Sequence, residues 1–131
     1  KMPSATAISL NDGQATPVAH SFVPAYVGSD KQVFEDRDVA LTSAGRARLI
    51  SSFSSANGSR KTNRISIRFD LPTEQTIDTV TSVAYTARFS CDIVIPEQAT
   101  QAERDDLAAY IANALSATDI AGMIADLDPI Y

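Results

Sequence analysis

Cysteine occurs once in this 131-residue chain, as Cys91, and histidine once, as His20. A lone thiol excludes an intrachain disulfide framework and a cysteine-built metal centre. Cys91 falls in an apolar strand pattern, so its expected role is that of a buried thiol acting as a small hydrophobe. His20 has no Cys, Asp or Glu beside it in sequence and therefore lacks the orienting partner that acid–base or nucleophilic catalysis needs; it reads as a structural or surface histidine. Glu35-Asp36 and Asp105-Asp106 are paired carboxylates, but adjacent residues do not face each other, and both pairs read as solvated charge. No glycine-rich phosphate loop, Walker motif or nucleophile elbow is present. No apolar run approaches the roughly 18 to 20 residues that span a bilayer, and no signal-type apolar block follows Lys1-Met2-Pro3-Ser4. These absences argue against an enzyme and lead us to expect no catalytic residue, metal, cofactor or membrane partner.

The apolar share, 44%, is that of a globular protein, and residues 1–131 are expected to form one domain burying roughly two-thirds of its unfolded surface. The formal charge of −5 argues at first against a polyanionic partner. Its distribution argues the other way. Between Val39 and Phe69 there is no acid, yet Arg46, Arg48, Arg60, Lys61, Arg64 and Arg68 lie there, six of the eleven cations. From Glu97 onward seven carboxylates face Arg104 alone.

Residues 5–10 and 16–23 are β-like, and the Asn11-Asp12-Gly13-Gln14 turn between them predicts an N-terminal hairpin. Pro24 and Gly28 are expected to loosen the chain before a short strand over Gln32–Leu41. From Arg46 to Ser55 the residues alternate, with Ala47, Leu49, Ser51 and Phe53 on one side. After an Ala56–Ser59 turn, Arg64–Leu71 puts Ile65, Ile67, Phe69 and Leu71 inward and Arg64, Ser66, Arg68 and Asp70 outward. Period two with one apolar face marks half-buried antiparallel strands. Pro72–Asp78 is polar and reads as a loop. Val83–Ile95 is the longest predicted strand, with Thr86, Arg88, Ser90 and Asp92 on its polar side and Pro96 at its end.

Thr100-Gln101-Ala102-Glu103 matches a helix capping box. Leu107, Tyr110, Ile111, Ala114 and Leu115 follow at three- and four-residue spacing, one apolar stripe. Thr118 or Asp119 is expected to cap a second short helix, which Pro129 stops. Strands followed by helices imply an α+β domain with helices over one sheet face.

Arg46, Arg48, Arg64, Arg68 and Arg88 share the parity opposite the apolar face, interleaved with Ser52, Ser54, Ser66 and Ser90. If the three central strands are neighbours, their guanidiniums converge. Arginine binds phosphate bidentately, and hydroxyls bond phosphates, sugars or bases. Against an RNA site stand Asp70 and Asp92 on the same face, the absence of stacking aromatics, and the fact that any solvent-facing sheet surface is polar.

The stretches Phe89-Ser-Cys-Asp-Ile-Val-Ile, Ala99-Thr-Gln-Ala-Glu-Arg and Leu107-Ala-Ala-Tyr-Ile-Ala-Asn-Ala-Leu, and above all the ending Ile124-Ala-Asp-Leu-Asp-Pro-Ile-Tyr131, resemble coat proteins of the single-stranded RNA (levivirus-type) phages. Before Gln32 the resemblance rests on pattern rather than on residues. It implies an N-terminal β-hairpin, a five-stranded antiparallel sheet and two C-terminal helices. It further implies a homodimer with a continuous ten-stranded sheet, each subunit's helices reaching over the partner's sheet. Dimers of the family build an icosahedral T=3 capsid in the bacterial host cytoplasm, package genomic single-stranded RNA on the inner sheet face, and repress replicase translation by binding an RNA hairpin.

The family's RNA-contacting positions fall on Arg46, Arg48, Ile50, Ser52, Ser54, Ser66, Arg68, Arg88 and Ser90. Ile50 stands where a small hydroxyl residue forms a base pocket, and Arg88 where an aromatic stacks, so the resemblance supports general packaging more than that specific pocket. The Pro72–Asp78 segment corresponds to the loop that gathers at symmetry axes and carries no cysteine for intersubunit disulfides. The competing function is a small dimeric RNA-binding regulator that forms no shell.

Overall fold

The structure, a computed structural model, describes residues 6–38 and 42–130. The chain divides into two compact units, Lys1–Val94 and Ile95–Tyr131.

Six strands form one sheet in chain order: β1 (Ile8–Asn11), β2 (Ala19–Val27), β3 (Lys31–Asp36), β4 (Arg48–Ser54), β5 (Thr62–Ile77) and β6 (Val80–Pro96). The expected N-terminal hairpin is present, with Ile8 opposite Phe22 and Asn11 opposite Ala19. Its turn is held by Asp12, whose carboxylate accepts from the Val18 amide at 3.0 Å and the Gln14 amide at 3.3 Å.

The hairpin is not separate from a five-stranded sheet. β2 runs on through Pro24 to Val27 and pairs directly with β3, with a register shift between Pro24 and Tyr26. A bulge is one of the few places where a strand tolerates proline, because the missing amide is not needed there. The expected strand continuation over Val39–Leu41 lies outside the described residues.

β4 and β5 pair as their alternation predicts. Leu49 opposes Phe69, Ser51 opposes Ile67 and Phe53 opposes Ile65 on one face. Arg48 opposes Asp70, Ile50 opposes Arg68, Ser52 opposes Ser66 and Ser54 opposes Arg64 on the other. The turn between them is closed by mutual backbone bonds of Asn57 and Arg60, with Gly58 at a φ of +58° that glycine adopts without strain.

The expected Pro72–Asp78 loop is instead the outer half of β5, and only Asp78 and Thr79, with φ of +50° and +67°, turn the chain into β6. Two consecutive positive φ angles mark a two-residue hairpin turn of type I′. Polarity is a poor guide here because this stretch lies mostly exposed rather than against a core. Cross-strand bonding such as Thr76 to Thr81, 2.9 Å between hydroxyls, satisfies a ladder without apolar residues.

The core lies on the apolar face, where Phe22 and Phe34 are buried and the Phe22 and Phe69 rings pack at 5.6 Å with a 52° tilt. Burying each phenyl ring stabilises by about 1.5–3 kcal/mol. Beside it lies a cavity of about 580 Å³, floored by Phe22, Ala47, Phe69 and Leu71. Cys91 is half-buried rather than buried, because β6 has no buried residue anywhere along its length.

In the second unit, α1 (Gln101–Ser116) opens on the predicted capping box. The Thr100 hydroxyl accepts from the Glu103 amide at 3.3 Å, and the Thr100 amide donates back to the Glu103 carboxylate at 3.0 Å. α2 (Thr118–Asp126) follows at a 48° bend. Ala117, not Thr118 or Asp119, is its N-cap, with no side-chain bond, and Leu127 in the left-handed region ends it two residues ahead of Pro129. Among the described residues no single helix is long and apolar enough to cross a membrane. Neither helix has a buried residue; Leu107 and Ile111 are half-covered, while Tyr110, Leu115, Ile124 and Leu127 are exposed.

Candidate nucleic-acid interface

Strand pairing puts directly opposed residues on the same side of a sheet. The register therefore carries Lys31, Val33 and Glu35 of β3, Arg48, Ile50, Ser52 and Ser54 of β4, and Arg64, Ser66, Arg68 and Asp70 of β5 onto one face. β6 joins them through two contacts. Arg88 Nε donates to Asp70 Oδ1 at 2.9 Å, and the Ser66 hydroxyl donates to Asp92 Oδ1 at 2.6 Å. Ser90 lies between Arg88 and Asp92 on that side of the strand. Arg46 precedes β4 and reaches the face through Glu35, its Nη1 lying 3.1 Å from Oε1. All eight residues expected from the sequence, Arg46, Arg48, Ser52, Ser54, Ser66, Arg68, Arg88 and Ser90, thus share one surface.

Two carboxylates organise the cations on it. Asp70 receives Arg68 side-on, Nε to Oδ1 at 3.0 Å and Nη2 to Oδ2 at 2.9 Å, and shares Oδ1 with Arg88. The bond from Arg68, with Arg88 adding to it against the effect of burial, holds the Asp70 carboxyl below the usual range. In return Asp70 raises the Arg68 guanidinium still further above neutrality.

Glu35 is 6% exposed and contacts three arginines: Arg37 Nε at 2.8 Å, Arg46 Nη1 at 3.1 Å and Arg48 Nε at 3.5 Å. Burial is the strongest single influence and pushes its pKa up, but the Arg37 bond and the three positive charges together bring it below its ordinary value. Arg48 Nη2 also donates to the Ser43 carbonyl at 2.7 Å, which fixes its guanidinium. Among the described residues Arg64 makes no ion pair, and it stands exposed opposite Ser54.

Three features escape a reading of the sequence. Glu35-Asp36 is not solvated charge: both are 6% exposed, and they point to opposite faces. Parity from Lys31 onward is the signal that could have found this. Arg37, one residue beyond β3, joins the arginine cluster although it belongs to none of the patterned strands. On the apolar face His20 lies between two carboxylates, Nδ1 3.0 Å from Asp36 Oδ2 and Nε2 3.0 Å from Asp12 Oδ2. These partners are eight and sixteen residues away in sequence, so no local motif announces them. The geometry gives His20 a structural role.

The model of the levivirus coat protein family matches residues 3–131. The chain belongs to the levivirus coat protein family. It is thus a phage virion protein of a capsid family, not an enzyme. No individually curated protein matches it by sequence. Among solved structures, the virus-like particle of bacteriophage ESE058 is 26% identical, with a TM-score of 0.87, covering 98% of this chain and 100% of that one. The virus-like particle of Beihai levi-like virus 21 shares the fold of this coat protein at 17% identity and a TM-score of 0.89, covering 98% and 99%. The bacteriophage GA protein capsid does so at 17% and 0.79, covering 97% and 98%.

Proposed function

We propose that this coat protein dimerises, closes a T=3 icosahedral shell in the cytoplasm of its bacterial host, and packages single-stranded genomic RNA against the arginine-bearing face of β3–β6. The observation that carries this reading is the convergence of Arg46, Arg48, Arg64, Arg68 and Arg88 on one surface of a chain whose net charge is −5. A phosphate backbone is the ligand that rewards a row of guanidiniums separated by hydroxyls: arginines take phosphates, and Ser52, Ser54, Ser66 and Ser90 take sugars or bases. Asp70 and Asp92 do not oppose this, because each already serves a neighbour, Asp70 orienting two arginines and Asp92 accepting from Ser66. Hairpin recognition with repression of translation belongs to the same face. Ile50, flanked by Val33 and Arg68, offers an apolar contact there in place of a hydroxyl.

Dimerisation follows from what the single chain leaves uncovered. Among the described residues only Phe22 and Phe34 are buried apolar side chains, while Tyr85, Phe89, Val94, Tyr110 and Leu115 are 40–71% exposed. A domain of this length cannot offset its chain entropy with so small a core. β6 is moreover a long sheet edge, a template for pairing. Two copies joined along β6 would continue one sheet across both subunits. Helices reaching over the partner's sheet cover the 580 Å³ cavity and the Leu107–Ile111 row together.

Electron microscopy of purified protein, combined with nuclease-protected RNA content, tests the reading. Closed uniform particles containing protected RNA are expected, and Arg64→Gln with Arg68→Gln should lower that RNA content while particles still form. Clean dimers without shells would instead favour a regulatory RNA-binding protein.

A further inference from the structure

We propose that Arg37, Arg46 and Arg48 form an anion seat around Glu35 that takes a phosphodiester of single-stranded RNA, with Arg37 as a contact outside the strand-borne strip. The inference rests on RNA lying against this face, and it adds a residue and a subsite to it.

A buried carboxylate needs one well-placed cation, and further like charges beside it repel one another in a low dielectric. Glu35, whose side chain is 8% exposed, has three within 3.5 Å. The next carboxylate on the face gives no relief. Asp70 stands directly opposite Arg48 in the register but is held by Arg68 and Arg88. Across this row five guanidiniums surround two carboxylates, an excess of three positive charges. Such overcompensation is not needed to bury Glu35 and is what an anionic ligand would balance.

The donor inventory agrees. Each guanidinium carries five N–H donors, and a carboxylate accepts about four bonds. Arg37 and Arg46 share a single Glu35 oxygen, Oε1. The Arg46 Nε is buried and has no partner among the described residues. Arg37 is 49% exposed, so its outer edge is open to solvent while its inner edge is fixed by Glu35. A guanidinium oriented on one edge and free on the other is prepared for bidentate phosphate binding. The excess charge is spread along a cross-strand row rather than gathered at one point, which suits successive singly charged phosphodiesters. The competing occupant is the acidic segment of a neighbouring copy, around Glu103, Asp105 and Asp106.

The test is equilibrium binding of the full-length protein to a short oligouridylate across a salt series, for wild type, Arg37→Gln, Arg37→Lys and Arg68→Gln. Arg37→Gln should weaken binding several-fold at low salt and flatten the plot of log K against log salt by about 0.7, the increment of one phosphate contact on a single strand. Its thermal unfolding should be unchanged. Arg37→Lys, which keeps the charge, should restore the slope. If Arg68→Gln flattens the slope and Arg37→Gln does not, the seat is wrong and the face is right. Unchanged slopes in both variants overturn seat and face together. Weaker particle assembly in Arg37→Gln at an unchanged RNA slope would assign the seat to a neighbouring copy and overturn the proposal.

Discussion

Glu35 and Asp36 are adjacent, both carboxylates and both 6% exposed, yet the alternation of β3 sends them to opposite faces and into opposite chemistry. Glu35 meets three arginines, permanent cations that leave the neighbourhood positive. Asp36 meets one imidazole, a titratable cation that it shares with Asp12. One face is built to carry surplus positive charge regardless of pH. The other uses just enough charge to tie the hairpin turn to β3 beside the apolar core. The difference shows that position relative to the pleat, rather than residue type, decides whether a buried acid serves binding or folding.

The largest effect that would break this contrast is expected from Arg48→Glu. It replaces a cation 3.5 Å from buried Glu35 with a second carboxylate and should cost about 2–3 kcal/mol in urea unfolding, because like charges repel strongly near the interior even with Arg37 and Arg46 still in place. Asp36→Asn removes one charge-assisted bond from His20 and should cost about 1–2 kcal/mol by the same measurement. A reversed order would show that Arg37 and Arg46 alone compensate Glu35 and that the His20–Asp36 contact is the tighter constraint.

The pH response separates the faces further. The bond to Asp12, with Asp36 adding to it against burial, raises the His20 pKa above its ordinary 6.5. Both ring nitrogens can donate only in the imidazolium. The stabilisation is therefore complete below about pH 6.5 and is lost as pH rises through the elevated value. Asp12 sets the acid limit. The Val18 amide, then His20, lower its pKa from 3.8, so its share is present above that value and fades as pH falls through the depressed one. Of the other acids lining that cavity, Glu74 is engaged by the Thr42 amide at 2.9 Å and hydroxyl at 2.7 Å. The stability difference between wild type and His20→Gln should thus shrink from pH 6 to pH 9. A constant difference would mean that His20 packs as a neutral ring. The smallest effect is expected from Arg37→Gln, within about 0.5 kcal/mol, because Arg37 is half exposed and Glu35 retains two arginines.

Much of this architecture is legible in the sequence alone. The β4–β5 alternation, the Thr100–Glu103 capping box and the parity of the arginines are local patterns with a fixed period, and each is found as read. What is not legible depends on pairing between distant segments. The bulge that carries β2 through Pro24 reflects its register against β3, and the polar outer half of β5 is a strand because β6 lies beside it. The arginine cluster around Glu35 includes Arg48 only because the register sets it opposite, a partner thirteen positions along the chain. The thiol of Cys91 is expected to be buried because its strand face is apolar; in the single chain that face is only half covered.

The central claim is that the β3–β6 arginine face, rather than the apolar face or the helices, receives RNA. Ultraviolet cross-linking of RNA within purified particles, followed by mass spectrometry of the cross-linked peptides, addresses it without any substitution. The account predicts cross-links in peptides covering Arg46–Ser54, Arg64–Asp70 and Arg88–Asp92, with Arg37 joining them. Cross-links confined to Gln101–Asp126, or to the β1–β2 hairpin around His20, would contradict it.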